Sequence, residues 1–212
     1  MTLISIQRTA AFALISGSLL LAAYAAAFPA LLPMARMSSD FSQLVRSPHW
    51  SWIASSAFAG VVLSAAGFAG VYSRLWDTSG VPGFMGFLFL EAAYLLQACK
   101  VTWEIFLYPL IARHPAAVVL LRDGLIRDSA LVGWFRLGAT LTIFAGTLLF
   151  CFTLVRSRAF PKSAGVLVFA GALIYGIHLS TASAIAGILI HALGCLVLGL
   201  RLMRPPPVTA SA

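Results

Sequence analysis

Glu91, Gln97, Lys100 and Glu104 all stand inside a single apolar stretch, residues 83–112 (GFMGFLFLEAAYLLQACKVTWEIFLYPLIA). With Tyr94 and Tyr108 they follow steps of three and four, which keeps them on one slowly drifting face of a helix. A charged side chain near mid-membrane costs roughly 2.5–3.5 kcal/mol on the insertion scale, so such groups turn toward protein or trapped water. Lys100 can reach Glu104 along its own helix. Arg136 and His191, on later apolar runs, are expected at similar depth, which would gather Lys100, Glu104, Arg136, Gln97 and His191 into one cluster. Two permanent cations then face one carboxylate. The surplus positive charge calls for a lipid phosphate, a ligand carboxylate or Glu91. In that reading Lys100 and Arg136 supply charge, Glu104 orients them and Glu91 couples to protons. The same groups equally fit a structural role, because a charged pair locks helix register and removing one partner is costly whatever the function. His191 taken alone fits a hydrogen-bonded core histidine.

The composition sets the class of protein that carries these residues. The chain has 212 residues, 61% hydrophobic and only 9% charged, against about 25% charged in an ordinary soluble domain. Too little polar surface is available to wrap a globule, so the expected fold is an all-α polytopic membrane bundle. A net charge of +8 would suggest nucleic acid in a soluble chain. Here the basic residues sit between or beside apolar runs, where they orient the chain and meet anionic lipid headgroups. Nucleic acid is therefore not an expected partner. Cys99, Cys151 and Cys195 each lie inside an apolar run without metal-ligand spacing.

Six spans are expected, at about 9–32, 50–72, 83–111, 131–155, 163–177 and 184–203, forming one domain over 1–203 with a disordered tail over 204–212. The first run contains an Ala25-Ala26-Ala27 stretch resembling a signal-cleavage site. It stays apolar through Leu32, which favours an uncleaved helix. Residues 33–49 read as a polar connection, and Trp50 and Trp52 read as interfacial anchors of the second span. Residues 73–82 (SRLWDTSGVP) read as a short loop. Residues 113–130 suit either a short interfacial helix, with Val118, Leu121 and Leu125 on one face, or a solvated loop.

Six spans place both ends on one side. That side carries Arg8, Arg74, Arg156, Arg158, Lys162, Arg201 and Arg204, against Arg36, Arg46, Arg113, Arg122 and Arg127 opposite. The bias puts both termini in the cytoplasm. No Gly-rich phosphate loop, HExxH or GxSxG motif is present, so an enzyme is unsupported and no catalytic residue, metal or cofactor is assigned. His178 lies too near a span end to face His191 as a haem ligand.

Three segments carry a resemblance: HWSWIASSAFAGVVLSAAGFAGVYSRLW, WEIFLYP and GTLLFCFTLVRSRAFPKSAGVLVFAGALIYG. Across residues 8–203 the chain resembles a broad group of uncharacterised bacterial integral membrane proteins. Glu104 with Pro109, and Arg156, Arg158 with Pro161, are the most specific elements. The resemblance implies a six-helix protein of the bacterial cytoplasmic membrane and brings no activity with it. Lys100 and Arg136 are not carried over from that group. The expected function is binding or moving a small anionic or amphiphilic molecule at the polar cluster, with membrane lipids as surroundings. The alternatives are an accessory subunit, whose small-residue spans pack on a protein partner or a second copy, and a lipid- or isoprenoid-modifying enzyme using Glu91 or Glu104 as general acid.

Overall fold

The computed structural model describes residues 3–34 and 40–204. Residues 205–212 of the expected disordered tail, and Arg36 in the first connection, lie outside the described residues. Among the described residues everything regular is helical: α1 Leu3–Leu31, α2 Phe41–Val45, α3 Trp50–Thr102, a π-helical turn Trp103–Leu107, α4 Tyr108–Arg113, α5 Val119–Arg122, α6 Ala130–Arg156, α7 Lys162–Ile177 and α8 Thr181–Leu202. Among the described residues four helices are long and apolar enough to cross a membrane: Ser5–Leu31, Trp50–Arg113, Ala130–Arg156 and Thr181–Leu202. α7 is apolar but shorter, at 16 residues.

The longest of these is not one rod. Gly80 has φ 55 and ψ −167, a conformation open essentially to glycine alone, and the chain folds back there. The returning limb (81–102) runs antiparallel to the first (50–79): Tyr72 stacks on Phe87 with ring centroids 4.4 Å apart, and Phe68 meets Tyr94 at 5.6 Å. The loop expected over 73–82 is thus compressed to a single residue. Ser73 and Ser79 hydroxyls donate to the carbonyls of Gly70 and Trp76, so these polar residues satisfy themselves within the helix. Pro82 falls in the first turn of the new limb, where no N–H is required.

Glycine contacts set the order of the other helices. α1 runs antiparallel to the first limb, with Leu14 against Gly67 and Ala10 against Gly70. α6 runs antiparallel to the second limb, where Gly86 meets Phe150 and Gly146 meets Leu90. α7 follows on α6, α8 on α7, and α8 returns to α1 at Gly199. Each helix therefore packs antiparallel on the next and the series closes on itself. The core runs along the middle through Leu14, Phe68, Leu90, Phe150, Val168 and Leu198, all with no exposed surface.

Both ends are tied. At the Gly80 end, Arg74 donates to the carbonyls of Arg201, Leu202 and Arg204 and to Gln7 Oε1. The start of α1 and the end of α8 therefore meet there, a cation closing a helix C-terminus. At the opposite end α2, α4 and α5 build a small cap whose core is Leu32, Leu44, Val45, Trp50, Ala112 and Leu121. Arg46 Nε donates to the Ala112 carbonyl at 2.8 Å. The interfacial helix considered for 113–130 is only the four residues of α5, which bury Leu121 and leave Leu125 exposed.

Candidate functional site

The second limb of α3 places its polar face toward the middle of the bundle. Tyr94, Gln97, Lys100, Val101 and Glu104 line a cavity of about 80 Å³. α1 contributes Leu21 and Tyr24, the first limb Ala57 and Val61, α6 Ile143, α7 Tyr175, and α8 Ile188 and His191. Every long helix reaches it.

Three polar pairs organise the walls. Lys100 Nζ lies 3.3 Å from Glu104 Oε1, and the Lys100 side chain keeps 38% exposure against 14% for Glu104. The Tyr175 hydroxyl donates to Gln97 Oε1 at 3.3 Å. The Tyr94 hydroxyl and His191 Nε2 are 2.7 Å apart, and His191 Nδ1 lies 3.1 Å from the Val168 carbonyl. A carbonyl only accepts, so Nδ1 carries the proton and Nε2 accepts from Tyr94.

Glu104 sits in the π-helical turn, and this has a local cause. Tyr108 N–H donates to the Trp103 carbonyl, five residues back. In that register the Glu104 carbonyl would be bonded by residue 109, which is proline and has no N–H. The stranded carbonyl accepts instead from Trp50 Nε1 at 2.7 Å. Trp50 is therefore 3% exposed within the cap, whereas Trp52 is exposed; of the two expected interfacial anchors, Trp50 is a buried brace.

The sequence-expected cluster is brought together in part. Lys100, Glu104, Gln97 and His191 share the cavity. Arg136 does not join them: its Nη2 donates to the Arg127 carbonyl at 3.1 Å and the residue is exposed. It stands at the expected level, since Trp103 and Phe135 rings meet at 5.0 Å. However, α6 faces the second limb through Phe135, Ala139, Gly146 and Phe150, and Arg136 is turned off that seam. The cavity thus holds one cation and one carboxylate, without the surplus cation. Glu91 lies one turn before Tyr94, outside the lining, with Oε1 buried and without a hydrogen-bond partner. Tyr24 and Tyr175 were not expected at the site. Both come from other helices, and nothing in their local spacing separates them from core aromatics. His178 ends α7 in a left-handed conformation, exposed. No group of three metal-ligating side chains occurs among the described residues.

No family model matches the chain, and no curated protein or solved structure matches it. Fold and site define a class: an all-α chain with membrane-length apolar helices packed around a small, mostly apolar cavity that Gln97, Lys100, Glu104 and His191 border.

Proposed function

We propose that the chain crosses a bacterial cytoplasmic membrane six times, with both termini in the cytoplasm, and holds or passes a small anionic or amphiphilic molecule at the central cavity. In this reading the two limbs of α3 each count as a crossing. α7, about 24 Å long at helical rise, spans by local thinning or by projecting its ends into the headgroups. Arg8, Arg74, Arg156, Arg158, Lys162, Arg201 and Arg204 cluster at the Gly80 end, which supports that end as cytoplasmic.

The observation that carries the reading is Lys100. Burying an ammonium carries a desolvation cost that its ion pair repays only when the remaining N–H groups are also satisfied. Lys100 lines the cavity with 38% of its side chain exposed, and Glu104 is its ion-pair partner. Two of its three N–H groups and the Gln97 amide remain available to an acceptor. Glu91, outside the lining, has no part in this binding step.

Native mass spectrometry of gently released wild type, Lys100→Ala and Arg136→Ala proteins tests it. The expected result is an adduct of defined mass in wild type and Arg136→Ala that disappears in Lys100→Ala. A bare protein in all three, with a lowered melting temperature in Lys100→Ala only, makes the pair structural and overturns the reading.

A further inference from the structure

The wall beside Glu104 is lower on the α7 and α8 side. α7 closes against α6 from Gly165, beside Leu154 and Val155, to Gly176, beside Phe144, and ends at Ile177. Residues 130–143 of α6 continue past that end by about 20 Å. Glu104 belongs to the level reached by this extension, because its neighbour Trp103 packs on Phe135, while Lys100 one turn lower shares the cavity with Tyr175 near the end of α7. The stretch between Phe144 and Phe135 corresponds to about 13 Å of helix. α8 starts at Thr181, directly after the α7 end, so it is equally low. Consistent with this, α7 and α8 reach the cavity only through Gly171, Ala172, Tyr175, Ile188 and His191, beside its Tyr94 and Gln97 half. On the rising part of α6, Leu131, Trp134, Leu137 and Leu141 are exposed, and Gly133 and Gly138 have nothing within 4 Å.

The axial exits are shut. Toward the Gly80 end, Tyr94 and His191 close onto Phe68 and Phe150. Toward the cap, an aromatic chain runs from Tyr24 through Phe28 and Trp50 to Phe41 and Tyr108, each ring within 6.4 Å of the next. The open direction is sideways, over the His178–Ser180 turn that joins α7 to α8, where Leu179 is exposed.

Resting on the function proposed above, we infer that the ligand is an amphiphile with an anionic oxygen head group, which enters sideways over the α7–α8 turn. Its head reaches Lys100 and Gln97 while its apolar part stays outside against α6. A bilayer core is about 30 Å thick, so the top of an α7 rod about 24 Å long falls near the acyl–headgroup boundary of the leaflet on the cap side. That is the depth at which a lipid phosphate or carboxylate resides. A volume of about 80 Å³ is too small for an acyl chain; an engineered cavity of about 150 Å³ takes benzene or xenon.

The test places full-length protein in nanodiscs containing phosphatidylglycerol with a photoactivatable group in one acyl chain, and maps crosslinks. Labelling at Leu141 and Leu179 is expected to fall about tenfold in Lys100→Met and in the charge-balanced Lys100→Met/Glu104→Gln variant, the loss of one charge-assisted hydrogen bond. Labelling at Phe12, exposed on α1, should not change. The double variant keeps the test readable if Glu104 left alone impairs folding. Equal labelling at all three positions in every variant overturns the inference. If inorganic phosphate abolishes the Leu141 label and itself gives a Lys100-dependent adduct, a free anion is the ligand; sideways access by an amphiphile is then overturned and the broader binding function stands. Equal labelling together with no adduct overturns both.

Discussion

The Tyr94 hydroxyl donates to His191 Nε2 at 2.7 Å, joining the second limb of α3 to α8 across the floor of the cavity. His191 passes the connection on through Nδ1 to the Val168 carbonyl in α7. Both side chains are buried, at 7% and 8% exposure, so removing either strands a polar atom where no water replaces it. Tyr94→Phe keeps the ring packing on Phe68 and deletes only the donor. The expected cost is about 1 kcal/mol and at most about 3, read as a lowered thermal midpoint. Tyr94→Phe combined with His191→Leu should cost less than the sum of the two single changes. Strict additivity would show that the two groups do not interact.

Trp50 and Glu104 form a second long-range brace, created by Pro109. Trp50→Phe removes the N–H that satisfies the Glu104 carbonyl and should destabilise by about 1 kcal/mol. Pro109→Ala supplies an N–H one π-register away, which can take over that carbonyl or return the turn to α-helix. In the Pro109→Ala background the Trp50→Phe penalty should shrink. An unchanged penalty in that background would mean that the indole acts only through packing.

Depth along the helices was legible in the sequence, and rotation about their axes only in part. Apolar runs and their charged ends located α1, α6, α7 and α8 to within a few residues, apart from the starts of α1 and α8, and placed Lys100 level with Arg136, as the Trp103–Phe135 contact shows. The face that Arg136 presents depended on which residues of α6 meet the second limb, and that seam is defined by a partner helix, not by α6 alone. Trp50 read as an interfacial anchor for the same reason: its bond partner is a carbonyl freed by a proline far along the chain. The hairpin at Gly80 was legible as a break but not in its tightness, because the Ser73 and Ser79 hydroxyls close back onto their own helix. Small residues of the second span, such as Gly67 and Gly70, pack closely against α1 inside the bundle.

The close seam between α7 and α8 gives a sharp contrast. A Cβ on Gly171 would run into the His191 backbone nitrogen, so α7 and α8 cannot keep their separation with any larger residue there. Gly171→Ala should cost about 1–3 kcal/mol and should also weaken the Val168–His191 and Tyr94–His191 bonds, visible as a changed His191 imidazole resonance. Gly138, on the exposed rise of α6, has open space around it. Gly138→Ala should be neutral or stabilise by up to about 1 kcal/mol through helix propensity. Equal losses at the two positions would contradict the packing described.

The cap has a pH-dependent component in Asp40. Its carboxylate accepts from the Ser42 hydroxyl at 2.6 Å, the Ser42 N–H at 3.1 Å and Gln43 Nε2 at 2.9 Å, capping α2. These bonds, the Ser42 hydroxyl first, hold the carboxyl below its ordinary value. A lowered folded-state value means that the ionised form is favoured by folding. The contribution is therefore complete above the ordinary aspartate value and is lost as pH falls through the folded one. Amide protection of residues 41–46, corrected for intrinsic exchange, should stay level from neutral pH to about pH 4 and decline below it. In Asp40→Ala it should be lower at neutral pH, by the roughly 1 kcal/mol of a lost N-cap, and free of that acid step. An acid step retained in Asp40→Ala would assign the titration to another group of the cap.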